Sequence, residues 1–196
     1  MKRIGITGGI GVGKTYITDI LRRLNYPVYN SDLVSKRYIN NDIQLIASIK
    51  QEFGDDMYNN DVVNSSKLSD LVFSNPSKLS KLNSLVHPFV KKDFTIWCNN
   101  QDSKIIFKEA AILFESRSNI ELDAVICVCA NEDLRISRIK NRDKKTEREI
   151  RLIISRQLSQ DEKERLSDFK IINNGKSSLL LQINSILQTL KKVTNN

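Results

Sequence analysis

The chain has 196 residues, 40% of them hydrophobic and 28% charged, with seven Gly and three Pro. That usage excludes collagen-like, low-complexity and largely disordered classes, and the length suits one domain with an insertion or lid. Thirty-one Lys and Arg against 23 Asp and Glu leave a formal charge of +8, which favours anionic partners without separating nucleic acid from small phosphorylated ligands.

The position of the charge is more telling. Residues 135–165 hold eleven Lys/Arg and six Asp/Glu, so the excess sits in one segment and fits a local phosphate-handling element. The longest clean apolar run, 124–130, is far short of the roughly 20 residues that span a bilayer. The N-terminus moves straight into a Gly-rich strand-turn pattern instead of a signal peptide. The expectation is a cytoplasmic protein with no membrane partner. Cys98, Cys127 and Cys129 form no CxxC pair, and one histidine is too few for a Cys/His zinc site; buried reduced thiols are expected.

In chain order, residues 3–7 read as a short strand that runs into Gly8-Gly9-Ile10-Gly11-Val12-Gly13-Lys14-Thr15, after which Ile17, Ile20, Leu21 and Leu24 recur at helical spacing. Further strands are predicted at 27–29, 105–108, 124–129 and 169–172. Between the second and third lies a long helical excursion, about 40–101, in which Asn75-Pro76 marks a helix start. Leu79, Leu82, Val86, Phe89, Val90 and Trp97 give it an apolar stripe, which His87-Pro88 interrupts. Thr146-x-x-Glu149 and Ser159-x-x-Glu162 both read as capping boxes, and 178–191 as an amphipathic closing helix. Alternating strands and helices predict an α/β fold, a mainly parallel five-stranded sheet covered on both faces.

Gly8-x4-Gly13-Lys14-Thr15 is a phosphate loop in its required setting, between a strand and a helix. Glycines let backbone N–H groups turn onto phosphates, the helix start adds partial positive charge, Lys14 reaches the β- and γ-phosphates, and the Thr15 hydroxyl suits Mg²⁺. Asp32, just after the second strand, reads equally as a base toward an attacking hydroxyl or as a helix N-cap. Arg138 and Arg142 share a helical face, flanked by Arg135 and Lys145, and suit either a transferring phosphoryl group or a solvated surface. His87 reads as structural. Glu115 reads as a substrate or magnesium-water ligand, or as a surface acid.

Taken together these motifs resemble the dephospho-coenzyme A kinase family. The resemblance rests on Ile6–Thr15, Val28-Tyr-Asn-Ser-Asp32, His87-Pro88, Ala111-Ile-Leu-Phe-Glu115, Arg138-x3-Arg142-Asp143, Gln157 and Asp168-x5-Asn174-Gly175. It implies transfer of the ATP γ-phosphoryl group to the 3′-hydroxyl of dephospho-coenzyme A, with ATP and Mg²⁺ bound. It also implies a P-loop kinase fold in three parts: a nucleotide core (about 1–39, 102–130 and 166–196), a helical coenzyme A subdomain (about 40–101) and a lid (about 131–165). By the same resemblance Asp32 is the base, with Lys14 and the lid arginines Arg138 and Arg142 neutralising charge. Gly9, Gly11, Val12, Gly13, Lys14, Thr15, Tyr16 and Asn174 would bind ATP, and Lys36, His87 and Glu115 the acceptor.

The chain departs from the family pattern at Asn30, where Asp is common, at Tyr16, usually a second hydroxyl residue, and at Ala111, usually Pro. Lys36 stands where Arg is usual, which would make a phosphate contact there monodentate. Two alternatives remain: another P-loop nucleoside or nucleotide kinase, and a nucleotide-regulated switch or nucleic-acid-binding NTPase. Against a switch GTPase, no Asn-Lys-x-Asp tetrapeptide occurs; against nucleic-acid binding, 135–165 holds no Phe, Tyr or Trp for base stacking.

Overall fold

The computed structural model describes residues 1–60 and 62–192, apart from the side chain of Phe73. In chain order the elements are β1 (Lys2–Thr7), α1 (Lys14–Arg23), β2 (Val28–Asn30), α2 (Ser31–Asn41), α3 (Ile43–Phe53), β3 (Tyr58–Asn59) and β4 (Val62–Val63). There follow α4 (Ser65–Phe73), α5 (Pro76–Asn99), β5 (Ile105–Glu109), β6 (Ala124–Cys129), α6 (Glu132–Asp143), α7 (Glu147–Ser155), α8 (Gln160–Arg165), β7 (Phe169–Ile172) and α9 (Leu179–Lys192). The chain forms two compact units, Met1–Val28 with Ser103–Asn196, and Tyr29–Asp102.

A five-stranded sheet ordered β2-β5-β1-β6-β7 contains the strands β1, β5, β6 and β7 of the first unit. β5 and β6 flank β1 in parallel, and β7 extends the sheet in parallel from β6. Strands covered on both faces are buried along their length: nearly all of β6 is buried as one apolar run, and all of β5 is buried as an apolar run that ends in Lys108 and Glu109. On one face, Ile4, Ile6, Phe107, Ile126 and Val128 pack against Ile17 and Leu21 of α1 and Ile183, Ile186 and Leu190 of α9. On the other face Gly5 supplies room: a Cβ there would stand 2.8 Å from side-chain carbons of Leu113 and Leu122. β1 lies at the centre of the order, and the chain crosses it between β5 and β6. This reversal puts the loop after β1 at the position where such sheets bind ligands.

The second unit is a helical layer with the small antiparallel hairpin β3–β4, whose two-residue strands are too short to show alternation in the sequence. Leu45, Ile49, Leu68, Val72, Leu82, Val86, Val90 and Phe94 are its buried apolar residues. Asp93 accepts hydrogen bonds from Tyr29 Oη (2.8 Å), Tyr38 Oη (3.1 Å) and Arg37, tying the start of the unit and α2 to α5. Burial, then the Asp93 hydrogen bond, raises the Tyr29 pKa, so the phenol stays a donor.

Three local expectations are corrected. α5 continues through His87-Pro88: Pro88 removes the N–H that would reach Ser84, but Ser84 and Pro88 are exposed, so water can solvate the carbonyl. Ser159 caps α8 through the Glu162 N–H (3.2 Å), but only Thr146 completes a box, its own N–H reaching Glu149 at 2.7 Å. The cap of α2 is Asn30, whose Oδ1 accepts the Leu33 N–H at 2.9 Å, and Asp32 is therefore not the capping residue. Among the described residues no helix is long and apolar enough to cross a membrane.

Candidate active site

Gly13 adopts φ 92° at the start of α1, a left-handed conformation that favours glycine, and a Cβ there would overlap the Asn173 amide. No side chain caps α1 and its first turn holds no acid, a helix start of the kind that suits an anion. Lys14 is 9% exposed and its Nζ donates back to the carbonyls of Gly8 (2.9 Å) and Gly9 (3.3 Å). The ammonium is thus held over the loop it would serve.

Beside it stands Glu109, a residue the sequence reading missed because the strand was expected to stop at 108. The β1–β5 register pairs it with Ile6, next to the start of the loop. It is 3% exposed, and its carboxylate accepts from Thr15 Oγ1 (3.5 Å) and Thr18 Oγ1 (3.3 Å). A hydroxyl and a carboxylate at this spacing are hard oxygen donors of the kind Mg²⁺ takes. The available signal was an acid ending an otherwise apolar strand.

The basic segment reaches the same loop unevenly. Arg138 donates to the Gly11 and Val12 carbonyls (3.4 and 3.3 Å) and to the Asn173 carbonyl and side chain (both 3.2 Å). Asn173, 7% exposed, also donates to the Val12 carbonyl at 2.8 Å. Arg142 points elsewhere: Asp143 takes its guanidinium in two bonds of 2.7 and 2.8 Å, and that hydrogen bonding raises its pKa. Asn174 is exposed, and its side chain closes a turn by accepting from Lys176 and Ser177 N–H, both at 2.9 Å. Tyr16 is 61% exposed.

Glu115 is engaged at the α7–α8 connection, where its Oε1 accepts the Leu158 N–H (2.9 Å) and pairs with Lys163 Nζ (2.8 Å). Lys163 has a fully buried side chain and also donates to the Ala111 carbonyl at 2.6 Å. Lys163→Met should destabilise the protein by about 1–3 kcal/mol, because it leaves a half-buried carboxylate and a carbonyl without that donor. A lower urea midpoint with unchanged m-value checks this.

In the second unit Asp32 is exposed in the first turn of α2, Lys36 is exposed one turn later on the same face, and His87 is half-buried in α5. Cys127 and Cys129 are buried free thiols. The hydrogen bond to Cys127, then burial, raises the Cys129 pKa and keeps it protonated. Among the described residues no group of three His, Cys, Asp or Glu could hold a metal ion.

A parallel sheet whose central strand feeds a glycine loop, an uncapped helix start, and a lysine, a hydroxyl and a carboxylate gathered there define a P-loop kinase fold. Within that class the chain belongs to the dephospho-CoA kinase family, whose model matches residues 2–178. A dephospho-CoA kinase of Bacteroides fragilis is 34% identical over 189 residues, covering 96% of this chain and 92% of that protein. The crystal structure of TT1252 from Thermus thermophilus has a TM-score of 0.84 at 26% identity, covering 96% of this chain and 97% of that one. A dephospho-CoA kinase from Campylobacter jejuni shares the fold, with a TM-score of 0.66 at 20% identity over 100% of this chain and 98% of that one.

Proposed function

We propose that the chain transfers the ATP γ-phosphoryl group to the 3′-hydroxyl of dephospho-coenzyme A, giving coenzyme A and ADP. The observation that carries this reading is the loop itself: Lys14, Thr15 and Glu109 meet at the uncapped start of α1, in a chain of the dephospho-CoA kinase family.

In this mechanism the loop N–H groups and Lys14 bind the β- and γ-phosphates, and Arg138 moves from the Gly11 and Val12 carbonyls to phosphate oxygens. Thr15 and Glu109 hold Mg²⁺, which when bound draws charge from the phosphates. Asp32 orients the acceptor hydroxyl and takes its proton. The helical region 40–101 holds the acceptor, with Lys36 and His87 on that side, and 131–165 closes as a lid that excludes water. Glu115 braces that lid through Lys163 and Leu158. Arg142 joins the phosphoryl group after leaving Asp143, and Asn174 shapes the turn that borders the adenine.

A coupled ADP-release assay tests the acceptor. Turnover with dephospho-coenzyme A and not with a nucleoside panel is expected; turnover with nucleosides alone would make the chain a nucleoside kinase on the same core. Glu109→Gln should raise the Mg²⁺ concentration for half-maximal turnover about tenfold, by removing a charged oxygen donor. A magnesium titration of both proteins measures it, and coincident curves would remove Glu109 from the metal site.

A further inference from the structure

The backbone of Ile10, in the middle of the phosphate loop, is held on both sides by side chains from far along the chain. Its N–H donates to Gln157 Oε1 at 2.8 Å, and its carbonyl accepts from Arg135 Nε at 2.9 Å. Gln157 lies between α7 and α8, and Arg135 in the first turns of α6. A loop residue whose backbone N–H and C=O, which belong to successive peptide groups, are both taken by distant side chains has little freedom to rotate.

Arg135 is unusual in its own right. It is 4% exposed, and burial lowers its pKa, with Glu132 and Cys127 as the groups that oppose the shift. Guanidinium groups remain charged even so. Among the described residues Nε is its only side-chain nitrogen with an acceptor. Nη2 presses so closely on Gly9 that a Cβ there would overlap it. A largely buried positive charge favours a negative partner, and it stands against the glycine loop.

We propose that Arg135 and Gln157 are positioning residues for nucleotide binding, clamping the Ile10 backbone so that the loop is preformed for a triphosphate, with Arg135 adding a buried positive charge against Gly9. The proposal rests on the reading of this loop as the ATP site. It assigns the pair to ground-state affinity and not to the transfer step, since both act on the loop and neither is placed on the moving phosphoryl group.

The test uses the full chain: calorimetric titration with Mg·ATP, and steady-state kinetics with ATP and dephospho-coenzyme A, on wild type, Arg135→Met, Arg135→Lys and Gln157→Leu. Arg135→Met is expected to raise the ATP Kd and KM about tenfold, roughly the loss of one charge-assisted hydrogen bond. Its kcat should fall no more than about threefold and its KM for dephospho-coenzyme A should hold. Arg135→Lys, which keeps the charge, should recover part of the affinity. Gln157→Leu should raise the ATP KM in the same direction with the charge intact. A folded Arg135→Met that binds ATP as tightly as wild type overturns the proposal, as does a lowered melting temperature with an unchanged ATP KM. If Arg135→Met does not fold, an unchanged ATP KM in Gln157→Leu overturns it. Failure of wild type itself to bind ATP would instead defeat the reading of the loop, so the two failures are distinguishable.

Discussion

Lys14→Ala should lower turnover by about a thousandfold or more, since it removes the one lysine held over the loop where charge develops on the leaving phosphates. The fold should survive. Lys14 Nζ donates to the buried Gly8 and Gly9 carbonyls, and losing such bonds costs about 1–3 kcal/mol, less than the roughly 5–15 kcal/mol that holds a domain folded. Methyl burial around α1, where Ile17 and Leu21 are 0% and 1% exposed, is untouched. Steady-state kinetics beside a thermal melt separates the two effects. Retained turnover would remove the lysine from the chemistry, and a collapsed melt would make its role structural.

Asp32→Asn should lower kcat by about 10²–10⁴-fold, the usual contribution of a positioned base, with the ATP KM little changed. The substitution is a clean test because Asn30 caps α2 and Asp32 does not. With the cap elsewhere, an unchanged melting temperature is expected alongside the fall in kcat. A kcat equal to wild type would leave the acceptor hydroxyl without this base and return Asp32 to a surface acid of the first turn, where its charge suits the helix dipole.

How far the molecule could be read from its sequence differs by feature, for physical reasons. The loop was legible because its chemistry needs glycine: Gly13 has φ 92° and the Asn173 amide where a Cβ would go. β6 was legible because a strand buried on both faces is a continuous apolar run, and it spans the expected 124–129; β7, an edge strand with only Ile171 buried, spans the expected 169–172. Glu109 was not, since an acid at a strand end looks like the start of a turn until the register pairs it with Ile6.

Side-chain direction was the least legible feature. Asn173 and Asn174 are neighbours of one residue type, yet only the first faces the loop, while the second closes a turn. Arg138 and Arg142 share a helical face by spacing, but Asp143 next in sequence draws Arg142 away. Glu115 carried no sequence sign that a fully buried lysine 48 positions later would take it. Spacing along a helix fixes which residues are neighbours on a face, and the surrounding partners decide where long side chains end.

The central claim is that this loop grips a triphosphate and passes its outermost phosphoryl group to an alcohol of the coenzyme A precursor. Phosphorus NMR of wild-type protein with ATP, Mg²⁺ and dephospho-coenzyme A reads it most directly. The account predicts ADP and a new ribose phosphomonoester forming in equal amounts, with little inorganic phosphate. ADP accompanied only by inorganic phosphate, or an unchanged ATP spectrum, would contradict it.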